Sequence, residues 1–290
     1  MAFTNKDVMD LRAKTGVGMM DCKKALTEAD GDMEKAIELL REKGKATSEK
    51  RAGKIASQGI VDTYISGNTG VILEVNCESD FVARGAQFKE YVQTVAKYIA
   101  ENDVKSAEEV STALTTVTAE AVAKIGEKIS LRRFAKYVSH GSTNISSYIH
   151  MGGAIGVLVE TKNASEELAH DVALQIAAAA PQYVKDSDVP AEVVAKEKEI
   201  MLAQAMNDEK NANKPKEILE KMIMGKVGKF FKEVCLVDQA FVKDPSVTIK
   251  AILKDAEVVK FTRLVMGEGL EQKVEDLAAE VAAQVAAAKK

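Results

Sequence analysis

The sequence predicts an α+β protein, and three observations carry that reading. Three short helical segments open the chain, a hairpin–helix–strand pattern occurs twice after them, and two charged amphipathic segments interrupt the second copy. Residues 5–15 place Val8 and Leu11 on one face, with Gly16 where a C-terminal cap belongs. Residues 21–29 carry Ala25 and Leu26 and stop at Asp30-Gly31-Asp32, residue types that make turns. A third helix starts at Asp32 and runs through Ala36, Ile37 and Leu40 at helical spacing. Between Arg41 and Lys54, six basic residues stand against two acids. That stretch reads as a solvated linker rather than a nucleic-acid patch. Residues 1–54 are therefore expected to be a three-helix module on a basic tether.

The duplication follows the tether. From Tyr64 through Gly67-Asn68-Thr69-Gly70 to Glu74, two apolar-rich runs flank a Gly/Asn turn, which signals a β-hairpin. From Tyr148 through Gly152-Gly153 to Glu160 the pattern returns. Helix candidates follow both hairpins, over residues 88–100 and 166–180. Each half later offers a strand with basic residues, Ile129-Ser130-Leu131-Arg132-Arg133-Phe134 and Val258-Val259-Lys260-Phe261-Thr262-Arg263-Leu264. Two related core subdomains, 55–140 and 141–266, are expected, with chance likeness of two short hairpins as the competing account. Residues 190–206 and 215–232 repeat apolar positions every three or four residues and flank a polar tip. They predict an antiparallel helical hairpin inserted over 190–232. The last segment, 267–290, ends in an Ala-rich amphipathic helix over 271–290, with Val274, Leu277, Val281 and Val285 on one side.

Composition narrows the function. With 46% hydrophobic residues the chain can bury sizeable cores. A net charge of −4 argues against a protein that coats nucleic acid, which usually carries a basic surplus. No apolar run reaches the roughly 18–20 residues that span a bilayer, and the start has no signal-peptide layout. Cys22, Cys77 and Cys235 lie far apart, which suits a reducing cytoplasm. The phosphate-loop, HExxH and GxSxG patterns are missing, and His140, His150 and His170 have no metal-ligand spacing. A hydrolase built on Cys77 and His150 can be imagined, but Cys77 follows the apolar run 71–75 and reads as a buried thiol. Residue types and spacing favour a binding protein over an enzyme.

One segment, Asn76-Cys77-Glu78-Ser79-Asp80-Phe81-Val82-Ala83-Arg84, joins a strand to a helix and has two readings. In the first, Ser79 or Asp80 caps the helix and Phe81 anchors it in the core. In the second, Asp80 and Phe81 are an exposed acid–aromatic pair that inserts into a partner.

Thr15-Gly16-Val17-Gly18-Met19-Met20-Asp21-Cys22-Lys23-Lys24-Ala25-Leu26 resembles the N-terminal signature of the bacterial elongation factor Ts family. Val75-Asn76-Cys77-Glu78-Ser79-Asp80-Phe81-Val82-Ala83 resembles its second signature, with Ser79 where Thr is common. The likeness spans essentially the whole chain, and it implies that the first module is of the ubiquitin-associated type. It also implies a guanine nucleotide exchange factor for elongation factor Tu, with no catalytic residue, cofactor or metal of its own. Ser79, Asp80, Phe81 and Val82 would then disturb the GTPase's magnesium-holding region. Met19 and Met20, taken to lie between the first two helices, would dock beside the nucleotide site, with Lys23 at the rim. His150 would reach the far side of the GTPase, although a partly buried strand residue is an equal reading of it. The inserted finger resembles a dimerisation or support element, so a homodimer or a 2:2 complex both fit. A chaperone-like or ribosome-associated adaptor is the alternative from another class.

Overall fold

The structure, a computed structural model, describes residues 3–207 and 216–270. Helix α1 (Asn5–Thr15) starts with a reciprocal cap: the Thr4 hydroxyl accepts the Asp7 N–H, and the Asp7 carboxylate accepts the Thr4 N–H. Gly16, at φ 71°, closes it in the left-handed conformation. Helix α2 (Met19–Glu28) and helix α3 (Met33–Arg51) follow, the latter capped by Asp32, whose carboxylate accepts the Glu34 and Lys35 N–H groups. Leu11, Cys22, Leu26 and Ala36 bury against one another in the centre of this module.

The chain continues through β1 (Gln58–Ser66), β2 (Thr69–Cys77), the short α4 (Asp80–Arg84), α5 (Ala86–Glu101), α6 (Ala107–Ala113), α7 (Thr115–Ile125) and β3 (Ser130–Val138). It then runs through β4 (Thr143–His150), β5 (Ile155–Lys162), α8 (Glu166–Ala179), α9 (Ala191–Asn207) and α10 (Lys216–Val234). Last come β6 (Ala240–Phe241), β7 (Asp244–Thr248), α11 (Ile249–Leu253) and β8 (Glu257–Val265). The two main sheets have orders β1-β2-β3 and β4-β5-β8, each a hairpin with a later strand beside its second member. This is the duplicated α+β pattern the residues predict. In the second copy β4 and β5 pair antiparallel, with His150 opposite Ile155, and α8 covers the sheet through Val172, Ala173 and Ile176.

The linker expectation is corrected. Residues 41–51 are the second half of α3, because Leu40 and Gly44 extend its buried stripe from Ala36. Gly44 lies so close to α7 that a Cβ there would stand 3.0 Å from the Ala119 carbonyl oxygen and 3.2 Å from the Ala123 Cβ. The basic residues find acids instead of facing water alone: Arg41 pairs with Glu120 at 3.2 Å and Lys43 with Glu28 at 2.9 Å. Gly44→Val is therefore expected to overpack the contact with α7 and cost about 1–3 kcal/mol. The check is a lower urea midpoint with an unchanged slope.

Helices α9 and α10 pack together as the inserted finger, burying Ala205, Leu219 and Ile223. At its base Val189, Val234 and Cys235 bury beside Phe230 and Phe231. The finger tip at 208–215 and the C-terminal helix expected over 271–290 lie outside the described residues. Helices α6 and α7 have no counterpart in the sequence reading. Among the described residues no helix is long and apolar enough to cross a membrane. The described residues fall into two compact units, 3–61, 73–134 and 265–270 in one, and 62–72, 135–207 and 216–264 in the other.

Candidate functional site

In the first unit, β2 ends at the buried Cys77 and the chain turns outward through Glu78 and Ser79. Ser79 is extended (φ −123°, ψ 154°), and its hydroxyl accepts the Val82 N–H at 3.3 Å, which starts α4. Gly85 ends that single turn by donating its N–H to the Val82 carbonyl at 2.9 Å. In so short a helix the faces divide sharply. Ala83 is buried, Val82 is half-buried, and Asp80, Phe81 and Arg84 point to solvent. Asp80 and Arg84 pair at 3.0 Å across the exposed side, a contact worth little in water. Ser79 is thus the cap that one reading requires, but Phe81 is 85% exposed and is not the core anchor that the same reading requires.

The turn is held from below. Glu127 accepts the Glu78 and Ser79 N–H groups at 3.1 and 2.9 Å and the Ser79 hydroxyl at 2.6 Å. Glu78 in turn accepts Arg51 and the Lys128 N–H, both at 2.7 Å. Burial alone would raise the Glu78 carboxyl, yet the Lys128 N–H and Arg51 outweigh it and hold the group below the usual carboxylate range.

Met19 and Met20 form the first turn of α2 rather than a loop between helices, which corrects the sequence expectation. Gly18 precedes them without a side-chain cap, and Met20 is 64% exposed. Lys23, one turn on, shares their exposed face. This patch and the Ser79–Val82 turn belong to the same unit. His150 belongs to the other, at the exposed end of β4, so the partly buried reading of it is corrected. Its ring stacks on Tyr148 with centroids 5.9 Å apart, and its Nδ1 lies 3.3 Å from the Tyr148 hydroxyl. Met151, Gly152 and Gly153, all at positive φ, turn the chain back into β5.

Cys77 offers no nucleophile. Burial, with Glu127 beside it, pushes its thiol up to about 12, and burial lifts Cys235 to about 11. All three thiols are free and buried. Iodoacetamide at pH 8 is expected to leave the native chain unmodified while alkylating all three in denaturant, as read by mass spectrometry.

The profile of the family described as Elongation factor TS matches residues 78–268, a span that begins at the held turn. The chain belongs to the elongation factor Ts family. An elongation factor Ts of Clostridium perfringens is 46% identical, with 97% of this chain and 98% of the relative covered. One of Pseudoalteromonas atlantica is also 46% identical, over 100% of both chains, and one of Halothermothrix orenii is 43% identical over 98% and 99%. As a member of the elongation factor Ts family the chain is a factor of translation elongation. Sequence reasoning missed Glu127 and Arg51, which secure the turn. Nothing local marks them, since Glu127 bonds a residue 48 positions away and Arg51 one 27 away.

Proposed function

We propose that this chain is the guanine nucleotide exchange factor of elongation factor Tu, as its elongation factor Ts membership implies. It binds the GDP-bound GTPase, disturbs the magnesium and phosphate site, and releases GDP so that GTP can enter. The observation that carries the reading is Phe81, 85% exposed on a turn whose backbone is held on both sides. Such a factor needs no acid, base or nucleophile; it must bind the nucleotide-free GTPase better than the loaded one. Burying the Phe81 ring in a crevice of the partner would contribute about 1.5–3 kcal/mol. Asp80, freed from its weak exposed pairing with Arg84, can engage the partner's polar groups or the water shell of the metal. Bound Mg²⁺ is the strongest local charge at a phosphate site, so displacing it loosens the diphosphate. Val82 adds a small apolar flank.

Met19 and Met20 supply a second patch, whose flexible thioethers fit a surface that changes shape. Lys23 sits at its rim, and His150 serves as the contact from the other unit. The working place is the cytoplasm, with no nucleic acid, membrane or cofactor engaged directly, and the inserted finger fits a homodimer or a 2:2 complex. Linkage gives the test. Calorimetric titration of elongation factor Tu should show that GDP weakens this chain's binding by the same factor as the chain weakens GDP. Equal affinity for the loaded and empty GTPase would end the proposal, because such a ligand shifts nothing.

A further inference from the structure

Helix α4 cannot hold itself. It has five residues and closes on the Ala83 N–H to Ser79 carbonyl bond at 3.2 Å and the Gly85 N–H to Val82 carbonyl bond at 2.9 Å. A single turn in water is unstable, since fixing its dihedrals is barely compensated by so few bonds. The Phe81 ring, 85% exposed, gives it no packing. The buried Ala83 fixes its inner face, and the direction in which the ring points depends further on what fixes the backbone of Glu78 and Ser79.

One side chain does most of this. The two carboxylate oxygens of Glu127 take three hydrogens, from the Glu78 N–H, the Ser79 N–H and the Ser79 hydroxyl. Because the Ser79 hydroxyl gives its proton to Glu127, its lone pairs are left for the Val82 N–H that starts α4. A second contact closes the arrangement. Glu78 receives Arg51 from the end of α3 and the Lys128 N–H, while the Lys128 ammonium donates to the Ala52 and Lys54 carbonyls at 2.7 and 2.9 Å. Residues 51–54, 78–79 and 127–128 are thus joined in a ring of charge-assisted bonds, which are stronger than neutral ones.

We propose that Glu127 is a positioning residue for exchange: through Ser79 it preorganises the Asp80–Phe81 turn, with Arg51 and Glu78 tying that turn to the end of α3. The proposal rests on the reading of Phe81 as the inserted wedge. Preorganisation spares the ordering cost that a mobile wedge would meet on docking.

The sequence contains no Trp, so Phe81→Trp places a single indole at the tip. Time-resolved anisotropy of that indole should gain amplitude in its fast local decay when Glu127→Ala is added, while circular dichroism stays native. Glu127→Gln, which keeps an oxygen acceptor, should fall between the two and serves if the alanine variant does not fold. In stopped-flow release of labelled GDP from elongation factor Tu, Glu127→Ala should be slower by up to about tenfold. The double variant Glu127→Ala/Phe81→Ala should be no slower than Phe81→Ala alone, because orienting a ring that is absent does nothing. Unchanged anisotropy in the Glu127 variants, or multiplicative slowing in the double variant, would overturn the positioning role. Parental exchange by Phe81→Ala would instead overturn the wedge reading, and the anisotropy comparison would still decide whether Glu127 orders the turn.

Discussion

Phe81→Ala is expected to leave the stability of the chain within about 0.5 kcal/mol of the parent while slowing GDP release from elongation factor Tu about ten- to hundredfold. The first half follows from exposure, since a ring that is 85% open to water loses almost no packing when truncated. The second half follows from burial in the complex, where about 1.5–3 kcal/mol is withdrawn and each 1.4 kcal/mol is tenfold. A melting curve beside a stopped-flow trace separates the two. If Phe81 were a core anchor, the same change would cost about 3–5 kcal/mol, and the rate would track the unfolded fraction. Asp80→Ala should likewise spare stability, because its ion pair with Arg84 is exposed.

Glu74→Ala is expected to cause the largest loss of stability, about 3 kcal/mol, read from urea midpoints at pH 7. Glu74, in β2, is fully buried and accepts Arg132 at 2.9 Å, Arg133 at 2.6 Å and the Gly267 N–H at 2.8 Å. Arg132 also donates to the Glu268 carbonyl and Arg133 to the Val265 carbonyl, so one carboxylate organises the exit from β8. Removing it takes the buried carboxylate from both guanidinium groups, although Arg133 keeps Glu268 at 3.3 Å and each arginine side chain keeps a quarter to a third of its surface in water, which limits the penalty. Burial by itself would raise the Glu74 carboxyl, but the Gly267 N–H and the two arginines outweigh it and hold it below the usual range. A folded pKa below the unfolded one, about 4.3, means that the folded state binds fewer protons. The stabilisation is then complete above that unfolded value and is lost as the pH falls through the folded one. Between pH 7 and pH 3 the parent should lose more stability than Glu74→Gln. Equal losses would remove Glu74 from that role.

What the residues disclose in advance is what local periodicity and turn chemistry determine. Leu11, Leu26 and Ala36 sit at helical spacing with Gly16 and Asp32 at the ends, and the module forms as that spacing says. The two hairpins announce themselves through Gly67-Asn68 and Gly152-Gly153 between apolar runs. The basic stretch after Leu40 misleads because its acids, Glu28, Glu78 and Glu120, lie 15 to 79 positions from their partners in sequence; only the packed chain brings Lys43, Arg51 and Arg41 to them. Met19 and Met20 read as loop because Gly16 and Gly18 precede them, yet the Asp21 and Cys22 N–H groups both reach the Gly18 carbonyl, so the helix starts earlier. For the turn at Ser79 the sequence leaves cap and wedge as rivals. The structure makes Ser79 the cap and leaves Phe81 bare, a division that only side-chain exposure can reveal. Glu74 reads in sequence only as one end of a hairpin, because its partner Arg132 is 58 positions away.

The most direct test of the exchange reading uses the unaltered chain. Elongation factor Tu loaded with fluorescent GDP is mixed in a stopped-flow cell with excess unlabelled GDP and increasing amounts of this protein. The release rate should climb with its concentration towards a plateau, and added Mg²⁺ should lower the rate at each concentration. A release rate that stays at the spontaneous value across the whole titration would contradict the assignment.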